Sequence, residues 1–548
     1  MSSFQKSNSL TDFDAVVVGA GFSGLYMLHR LREAGFSTRV FEAGDNVGGT
    51  WYWNRYPGAR CDVESIYYNY TFSEELLKEW SWSAKYAEQP EILSYINYVA
   101  DKFDLRRDVQ FNTRVQSAKF DEKNRRWDVQ LNNGEKVSAQ YFITAVGCLS
   151  ASNVPKFKGL ENFKGEWHHT GHWPHEGVDF TGKRVGIIGT GSSGIQAIPV
   201  IAKEAGRLTV FQRTPQYSSP ARNTPNDPEH LKNIRENYGD IRAKMRHSIT
   251  GIPEEPRNVS VFDESPEERQ IVFEEAWKEG GLLKLTYAYN DLSISPEANA
   301  IVAEFIRSKI RETVNNPEVA EKLLPRFYYG TKRTIIDTDY FETYNRDNVS
   351  LVDVKKAPIQ EITETGVKTS DGEYELDMIV FATGFDAMTG PLFKIDIRGK
   401  DGESLKEKWA GGSQTRTYLG LGTAGFPNMF MLTGPESPSV LSNMMVSIEQ
   451  HVEWVFDCIS YMREQNQAVI EVNEEAENTW SKHCREIADQ TLFTKTDSWY
   501  MGANIEGKAR GFQIYLGGVG AYRKICEEVA EKGYEGFSLT ASEKSAVK

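Results

Sequence analysis

The sequence predicts an α/β protein that contains two Rossmann-like dinucleotide-binding domains and a helical insertion. Three observations lead to this fold class. Glycine-rich loops at residues 19–24 and 189–194 each follow a short apolar, β-branched run and precede a helical pattern. Residues 225–325 instead carry many charges and long patterns with a 3.6-residue period. The chain is therefore expected to hold two dinucleotides.

Size and composition limit the class of protein. The chain has 548 residues, which is too long for one hydrophobic core and suggests roughly three to four domains. Hydrophobic residues make up 40% and charged residues 26%, as is ordinary for a soluble globular protein. The net charge is −14, and an acidic surface argues against nucleic acid as the main partner.

Targeting signals and cysteine usage favour a cytoplasmic protein. Residues 1–13 are polar and lack the basic and apolar regions of a signal peptide, and no stretch approaches the ~20 apolar residues of a membrane helix. The five cysteines are few, odd in number and scattered. No Cys-x-x-Cys or Cys-x4-Cys pair occurs, which disfavours the disulfide reductases. Because nothing in the sequence demands a protein partner, we expect a monomer.

The first glycine-rich loop has the spacing and setting of a dinucleotide site. A buried strand is predicted over residues 14–18, and a helical pattern follows the loop. The first glycine permits a tight turn, the second lets the backbone approach a pyrophosphate, and the third allows helix and strand to pack closely. The next strand, residues 38–41, ends at a carboxylate that suits ribose hydroxyls. The predicted nucleotide-binding residues are Gly19, Gly21, Ser23, Gly24 and Glu42.

The segment after this strand, residues 48–62, is dense in glycine and aromatic residues. Flat side chains in such a loop can lie along a flat ring. The alternative is that Trp51 and Trp53 are ordinary core aromatics.

The second glycine-rich loop has a different charge preference. A strand meander is predicted over residues 108–147, and a strand at 183–188 and a helix at 195–205 enclose the loop. The following strand, 208–211, leads into Arg213 and ends without a carboxylate. Arg213 can pair with a 2′-phosphate, which predicts NADP rather than NAD, unless it is simply a surface arginine. The predicted binding residues are Gly189, Thr190, Gly191, Ser192, Ser193, Gly194, Arg213 and Thr214.

Four helix starts of one form mark the helical insertion. Asp227, Ser265, Ser295 and Asn316 each precede Pro-Glu, which supplies a capping side chain, a proline at the first helical position and an acid in the first turn. Ser265 and Glu268 also fit a capping box. We assign this segment no chemistry, except that it can form a wall of the substrate pocket.

The most specific motif lies before the second loop, where the chain reads Phe163-x-Gly165-x-x-x-His169-x-x-x-Trp173-Pro174. This pattern resembles the fingerprint of the Baeyer–Villiger monooxygenases, flavoenzymes that insert oxygen next to a ketone carbonyl. Related flavin N- and S-oxygenases resemble it up to the histidine but usually close with an aromatic residue and a lysine. We expect an irregular linker in which His169 joins the domains through hydrogen bonds.

Histidines crowd the second half of this motif and raise the question of a metal site. Such a cluster can bind metal, but no acid or cysteine completes a ligand set at metal spacing, so no metal is predicted. The four histidines are His168, His169, His172 and His175.

The resemblance covers the chain from about Asp14 to Leu539 and implies FAD at the first site and NADP at the second. The aromatic loop is similar to the flavin-covering loop of the family. Lys332 is implied to meet the NADP phosphate and Trp499 to close over NADP. The residues implied to line FAD are Thr50, Trp51, Trp53, Asp62, Tyr68, Val115, Arg333 and Met444.

The resemblance also implies a mechanism. A Lys-Arg pair such as Lys332-Arg333 is usually a solvated surface feature. In the family, however, the matching arginine stabilises the negative C4a-peroxyflavin that forms when NADPH-reduced FAD meets O2. Asp62 is implied to pair with Arg333, whose guanidinium stays protonated. The implied reaction converts cyclic and aryl ketones to lactones and esters, with sulfoxidation as a side activity.

Two C-terminal segments depart from the family pattern. Residues 434–444 look most like the branch that acts on phenylacetone and imply that Ser439, Val440 and Leu441 line the substrate pocket. Glu436 replaces a small glycine, which bears on the polarity of that pocket. After Trp499, the usual Pro-Gly-Lys-Pro is altered at residues 506–509, which bears on the order of the loop.

The predicted domains are discontinuous. Residues 1–147 and 383–548 form the FAD domain, residues 148–224 and 329–382 form the NADP domain, and residues 225–328 form the insertion. Two other functions remain open: a flavin monooxygenase of amines or sulfides, and a nucleotide-binding redox sensor without turnover. Trp173-Pro174, Arg333 and Asp62 favour a ketone.

Overall fold

The computed structural model describes residues 11–542. The prediction about a signal peptide falls mostly on residues 1–10, which lie outside the described residues. Within the described range, no helix is both long enough and apolar enough to cross a membrane.

Strands and helices alternate along much of the chain. The strands of the described range are β1 (Thr11–Val18), β2 (Thr38–Phe41), β3 (Val109–Gln110), β4 (Val115–Asp121), β5 (Arg126–Leu131), β6 (Lys136–Thr144), β7 (Glu166–His169), β8 (Arg184–Ile188), β9 (Arg207–Gln212), β10 (Ser218–Pro220), β11 (Ile335–Asp337), β12 (Val349–Asp353), β13 (Ile359–Ile362), β14 (Gly366–Thr369), β15 (Gly372–Glu375), β16 (Met378–Phe381), β17 (Asp396–Arg398), β18 (Met429–Met431), β19 (Gln467–Val472) and β20 (Phe537–Ala541). The α-helices are α1 (Phe22–Glu33), α2 (Thr50–Trp53), α3 (Glu74–Glu79), α4 (Gln89–Lys102), α5 (Ser192–Glu204), α6 (Pro228–Glu236), α7 (Tyr238–His247), α8 (Pro266–Glu279), α9 (Pro296–Thr313), α10 (Pro317–Leu323), α11 (Tyr340–Thr343), α12 (Gly390–Phe393), α13 (Leu405–Lys408), α14 (Met444–Glu464), α15 (Glu474–Asp489) and α16 (Val519–Glu531).

The larger sheet is built from both ends of the chain. Its strand order is β17-β4-β5-β6-β1-β2-β3, and β18 pairs with β6. The β-branched run of β1 is fully buried at its centre, and β1 pairs in parallel with β2 and β6. The predicted meander is the antiparallel set β4-β5-β6. Because β17 and β18 rejoin this sheet, the chain returns to its first unit after β16.

The second sheet contains five parallel strands in the order β12-β9-β8-β16-β7. The prediction of an irregular linker over the fingerprint is wrong for residues 166–169. This stretch is the edge strand β7, in which His169 lies opposite Phe381. Gly165 allows the approach, since a Cβ there would lie 2.4 Å from the carbonyl oxygen of Asp377 and 2.6 Å from the Phe163 ring. The two sheets together confirm the predicted fold class.

The helical insertion begins its helices where the sequence predicts. Asp227, Ser265, Ser295 and Asn316 are the N-caps of α6, α8, α9 and α10, and each side chain accepts a backbone N–H of the first turn. Ser265 and Glu268 form the predicted capping box. The buried face of α9 packs in the same core as α5, so the insertion covers the second sheet.

Candidate active site between two nucleotide cradles

The first glycine-rich loop is a cradle that side chains would fill. Gly19 has φ +105°, and a Cβ there would lie 2.6 Å from the carbonyl oxygen of Ala145. A Cβ on Gly24 would lie 1.8 Å from the carbonyl oxygen of Gly19. Gly21 caps α1 without a side-chain hydrogen bond, and the first turn, which includes Ser23, carries no acid. Its backbone N–H groups therefore suit a pyrophosphate.

Glu42 stands at the end of β2 with both carboxylate oxygens engaged. Oε2 accepts from the Ala20 N–H and Oε1 from the Gly44 N–H, each at 2.7 Å. Burial raises the pKa of Glu42, and these two hydrogen bonds oppose the rise. The N–H of Thr113 reaches the carbonyl oxygen of Glu42 at 2.8 Å, which brings the nearby Val115 to the same end of the sheet. Glu42 and Val115, the two residues predicted to contact the adenosine half of the dinucleotide, thus lie at the same end of the sheet.

The second loop repeats the geometry with more open space. Gly189 has φ +112°, and a Cβ there would lie 2.3 Å from the carbonyl oxygen of Ala382. Gly191 caps α5 and has no heavy atom within 4 Å of an added Cβ. The Thr190 hydroxyl donates to the carbonyl oxygen of Thr214 at 3.1 Å. Ser192, Ser193 and Gly194 follow as the first turn of the helix, where a second pyrophosphate fits.

Three cations gather where β9 and β12 end. The Val354 N–H donates to the Gln212 carbonyl oxygen at 2.9 Å, so Lys355 follows beside Arg213. Burial, and then repulsion from Arg213 and Lys355, lowers the pKa of Lys332 to about 8. Among the described residues, none of the three cations has a carboxylate oxygen within 4.0 Å. Asp497 offsets part of the repulsion at Lys332 without forming an ion pair, and this cluster of cations fits a 2′-phosphate. The sequence reasoning missed Lys355, because only the register of β9 and β12 brings it beside Arg213.

The aromatic loop lies against the first cradle. A Cβ on Gly49 would lie 2.9 Å from the Cα of Gly21. Trp51 and Tyr68 are both buried; the indole N–H of Trp51 donates to the Tyr68 hydroxyl at 3.2 Å, and their rings meet edge to face. Trp53 is half-buried, and its ring centroid lies 5.5 Å from that of His172. The exposed Thr50 begins α2.

Arg333 and Asp62 form the central ion pair. Arg333 Nε donates to Asp62 Oδ2 and Nη2 donates to Oδ1, each at 2.8 Å. Arg333 Nη1 donates to the Val440 carbonyl oxygen. Burial is the largest single influence on the pKa of Arg333 and lowers it, but the charge and hydrogen bonds of Asp62, together with smaller contributions from Tyr500 and Cys61, raise that pKa overall. The pair is thus a fixed positive charge held by a carboxylate.

The loop that carries Asp62 is fixed by the second unit. Tyr56 donates through its hydroxyl to Gln196 Oε1 at 2.8 Å, and Gln196 Nε2 donates to the Arg60 carbonyl oxygen at 3.1 Å. Gln196 lies on α5, directly behind the second cradle. Asp62 is therefore positioned by contacts between the two nucleotide units.

The residues predicted for the substrate pocket form a short 3-10 helix, Ser439–Leu441. Ser439 is fully buried, and Val440 and Leu441 belong to a compact apolar cluster. The half-buried Met444, the first residue of α14, borders the same cluster. We call this set the apolar pocket cluster; it also includes Cys148, Leu149, Ala387, Met388, Phe493, Trp499, Tyr500, Phe512 and Ile514. Sequence reasoning found only the residues in family motifs, because these segments are far apart in the chain.

Glu436 faces away from the apolar pocket cluster. Its Oε2 accepts from the Thr417 N–H at 2.8 Å, the Thr417 hydroxyl at 3.0 Å and the Ser481 hydroxyl at 2.7 Å. Its backbone has φ +64°, a conformation that favours glycine. This explains why the family pattern has glycine here.

His169 links the fingerprint to the crossover after β16. Its Nδ1 accepts from the Gly171 N–H at 2.9 Å, and its Nε2 lies 3.3 Å from the Thr383 hydroxyl. Burial lowers the pKa of His169 to about 4, so the ring is neutral. Nearby, Trp173 is buried in the core of the second unit and leads into the half-buried Pro174.

The other histidines of this stretch face different partners. His168 lies by Glu166, His172 packs against Trp53, and His175 packs against Tyr52. Within residues 11–542, no three potential metal ligands come together.

The loop over residues 494–504 concentrates polar atoms without partners. Four of the 19 buried side-chain polar atoms that lack a hydrogen bond in the described residues belong to it: those of Thr494, Ser498, Tyr500 and Asn504. Such a concentration fits a polar ligand beneath the loop. Lys508, in the altered segment, donates to Asp386 and the Ala387 carbonyl oxygen and so anchors the loop to the crossover.

Known proteins resemble this chain over nearly its full length. The family described as FMO-like, flavin-binding monooxygenase-like, matches residues 14–218. A Baeyer-Villiger monooxygenase of Pseudooceanicola batsensis is 47% identical over 526 residues, 95% of each chain. A phenazine N-monooxygenase of Lysobacter antibioticus is 44% identical over 98% of this chain and 99% of its own. The solved structure of an oxidized steroid monooxygenase bound to NADP has a TM-score of 0.93 and 52% identity, covering 97% of this chain and 100% of the other.

The two cradles and the matching family define a flavin-binding monooxygenase. The extent of identity narrows this class, and the chain belongs to the Baeyer–Villiger monooxygenases. The family inferred from the sequence motifs and the predicted enzyme class are both confirmed.

Proposed function

We propose that the protein inserts one oxygen atom of O2 next to a ketone carbonyl, giving an ester or lactone, with FAD in the first cradle and NADPH in the second. The observation that carries this proposal is the half-buried Arg333–Asp62 pair, whose arginine also contacts the Val440 carbonyl oxygen and so lies beside the apolar pocket cluster. Cyclic and aryl ketones are the proposed substrates.

The cofactor sites fit this assignment. The cradle at Gly19, Gly21 and Gly24 suits the pyrophosphate of FAD, and Glu42 suits its ribose. Arg213, Lys332 and Lys355, which form no ion pair with a carboxylate in the described residues, suit the 2′-phosphate of NADPH. When bound, the flavin reduced by NADPH supplies the activated oxygen. The remaining proposed FAD contacts are Ser23, Thr50, Trp51, Trp53, Asp62, Tyr68, Val115, Arg333 and Met444, and the remaining NADPH contacts are Thr214, Trp499 and the second loop.

Arg333 has a defined electrostatic role in this proposal. A guanidinium has five N–H donors, of which two serve Asp62 and one serves the Val440 carbonyl oxygen. Two donors remain for negative charge that develops on oxygen during transfer. A preorganised charge in a water-poor site contributes several kcal/mol to such a step, about 3 kcal/mol per donor. Asp62 fixes the orientation, so Arg333 does not have to reorganise.

The apolar pocket cluster keeps water from this charge. The side chains of Val440, Leu441 and Met388 present no strong hydrogen-bond acceptor. Trp499, on the loop over residues 494–504, borders them. Exclusion of water protects the reactive oxygen from wasteful release as hydrogen peroxide. The same lining suits the hydrocarbon part of a ketone.

The test is NADPH oxidation by the purified flavoprotein with phenylacetone and with cyclohexanone, with products analysed by gas chromatography. Ester or lactone in proportion to NADPH consumed supports the proposal. Hydrogen peroxide as the only product with both ketones would contradict the substrate class.

A second candidate activity is oxygenation at nitrogen. It is favoured by the 44% identity to the phenazine N-monooxygenase. The same assay with a tertiary amine, a thioether and a phenazine separates the two activities by the oxygenated product.

We also propose the discontinuous division at residues 147, 224, 328 and 382, because the two sheets draw on the corresponding parts of the chain. The monomeric state remains a prediction. Size-exclusion chromatography with light scattering tests it.

A further inference from the structure

Tyr500 carries a hydroxyl that no part of the described chain satisfies. Its side chain is 1% exposed, and no acceptor for the hydroxyl hydrogen lies within hydrogen-bond distance among residues 11–542, since the neighbouring Arg333 guanidinium can only donate to its oxygen. Burial raises the pKa of Tyr500 well above the physiological range, so the phenol keeps its proton and remains a donor. A buried donor without an acceptor is unfavourable, and such groups usually meet a ligand or water.

The surroundings of this hydroxyl identify the kind of acceptor. Two charges act on this phenol besides burial: Arg333 lowers the pKa of Tyr500, and its ion-pair partner Asp62 raises it. The ring packs in the apolar pocket cluster with Val440, Met388 and Ile514. Arg333 also contacts the Val440 carbonyl oxygen, so the phenol and the guanidinium both adjoin the apolar pocket cluster. A ligand with one acceptor oxygen and a hydrocarbon body matches this arrangement.

We infer that Tyr500 donates a hydrogen bond to the carbonyl oxygen of the ketone, beside Arg333, and so acts as a second catalytic residue. This inference rests on the proposed function. A ketone oxygen accepts but does not donate, which pairs it with a phenol that only donates here. As negative charge grows on this oxygen during attack, the hydrogen bond strengthens, and the phenol keeps its proton throughout.

The decisive variant is Tyr500→Phe, which removes the hydroxyl and leaves the ring in the apolar pocket cluster. Tyr26→Phe is the matched control. Tyr26 is also 1% exposed, and its hydroxyl is also without a hydrogen-bond partner in the described residues, but it lies beside His29 and Phe72 on the first unit. The control therefore reports the effect of deleting any buried phenol hydroxyl.

Three measurements are compared for wild type and both variants, with equal flavin content and thermal midpoint as the check on folding. They are kcat and KM for the ketone, the dissociation constant of the ketone from the oxidised enzyme–NADP+ complex followed by the flavin spectrum, and the dissociation constant of NADP+ alone. Tyr500→Phe should raise the KM and dissociation constant of the ketone about tenfold, as expected for one lost hydrogen bond, and should lower kcat. NADP+ affinity should stay within about twofold, and Tyr26→Phe should change none of these values.

Two results would overturn the inference. One is ketone binding and turnover by Tyr500→Phe that match wild type. The other is weakened NADP+ binding with unchanged ketone binding, which would assign the hydroxyl to the carboxamide oxygen of the nicotinamide. If the wild type oxidised neither ketone, the proposed function would fail, while the ketone titration would still decide the role of Tyr500.

Discussion

Arg333 and Asp62 are 271 positions apart in the chain and meet through two hydrogen bonds of 2.8 Å each. Asp62 comes from the aromatic loop of the first unit, and Arg333 from the segment after the helical insertion. The pair therefore joins the aromatic loop to the chain that leads back into the second sheet. Its position beside the apolar pocket cluster makes it the natural first target for mutation.

Replacing Arg333 by alanine should separate flavin reduction from ketone oxidation. NADPH should still reduce the flavin within about tenfold of the wild-type rate, because the cradles are intact. Ester formation should fall by at least about 100-fold, since a fixed positive charge at the reacting oxygen is lost. Rapid-mixing absorbance measures the first step and product analysis the second.

The control is Arg326→Ala, which removes a side chain that is 72% exposed. It should leave both steps unchanged. Normal ester formation by Arg333→Ala would rule out the proposed role of Arg333.

NADP+ affinity should depend on pH through Lys332. Burial and repulsion from Arg213 and Lys355 lower the pKa of Lys332 to about 8 in the ligand-free protein. Lys332 is therefore charged below this pH and loses its proton above it, so NADP+ binding should weaken as the pH rises from 7 to 9.5. The loss should approach about tenfold per pH unit once the pH exceeds 8. Titrations that follow the flavin spectrum measure the dissociation constant.

Three comparisons test whether the pH dependence comes from the contact between Lys332 and the 2′-phosphate. NAD+ lacks the 2′-phosphate, so its binding should show little pH dependence in this range. Lys332→Met should weaken NADP+ binding at pH 7 by about tenfold or more and flatten its pH profile. Lys524→Met removes a lysine that is 78% exposed and should do neither. An unaltered pH profile in Lys332→Met would assign the titration to another group.

Glu436 should make the folded protein less stable as the pH rises through neutrality. Burial raises the pKa of Glu436 from 4.5 to about 7, against the opposing hydrogen bonds from Ser481 and Thr417. Between these values the folded state binds a proton that the unfolded state releases. The free energy of unfolding should therefore fall by up to ~3 kcal/mol between pH 4.5 and 7 through this group.

Glu436→Gln provides the comparison, because its amide oxygen can accept the same hydrogen bonds and does not titrate. Urea unfolding of both proteins at pH 5, 6, 7 and 8 should reveal a wild-type stability that declines relative to the variant. Glu486→Gln, at a side chain 59% exposed, should track the wild type. A constant difference between wild type and Glu436→Gln across the series would exclude a buried titration.

Removing the His169 ring should uncouple NADPH use from ketone oxidation. His169→Ala deletes the acceptor of the Gly171 N–H and the contact with Thr383 at the crossover. We expect unchanged flavin content but at least a several-fold larger share of hydrogen peroxide per NADPH. Because the pKa of His169 is lowered to about 4, its titration should not appear in the activity profile between pH 6 and 9.

The exposed His230 offers a matched histidine, and His230→Ala should keep the wild-type coupling. Coupling is measured as ester formed against NADPH consumed. Full coupling in His169→Ala would reduce this residue to a local structural role.

Much of the fold follows from short stretches of sequence. The apolar runs of β1 and β8, the glycine loops after them and the four Pro-Glu helix starts were predicted, and each lies where expected. These features depend on backbone sterics, capping and local burial, which nearby residues determine. The position of a positive charge, Arg213, at the end of β9 was likewise predicted from nearby residues.

Long-range packing decided the rest. The edge strand β7 forms because Phe381 and its neighbours offer a free sheet edge, which the irregular sequence of the fingerprint does not reveal. The carboxylate of Glu436 points to Thr417 and Ser481 because its backbone adopts φ +64°. Lys355 lies beside Arg213 and Lys332 because of the register in which β9 and β12 pair. None of these contacts has a local signal.

The sequence by itself therefore determined two dinucleotide cradles, the family of the enzyme and the residue types that its chemistry requires. Only the tertiary structure decided that Arg333 meets Asp62, that Val440 and Tyr500 belong to one apolar cluster, and that one phenol hydroxyl there lacks an acceptor. The physical reason is that backbone preferences act over a few residues. Hydrogen-bond satisfaction and close packing are instead set by segments hundreds of positions apart.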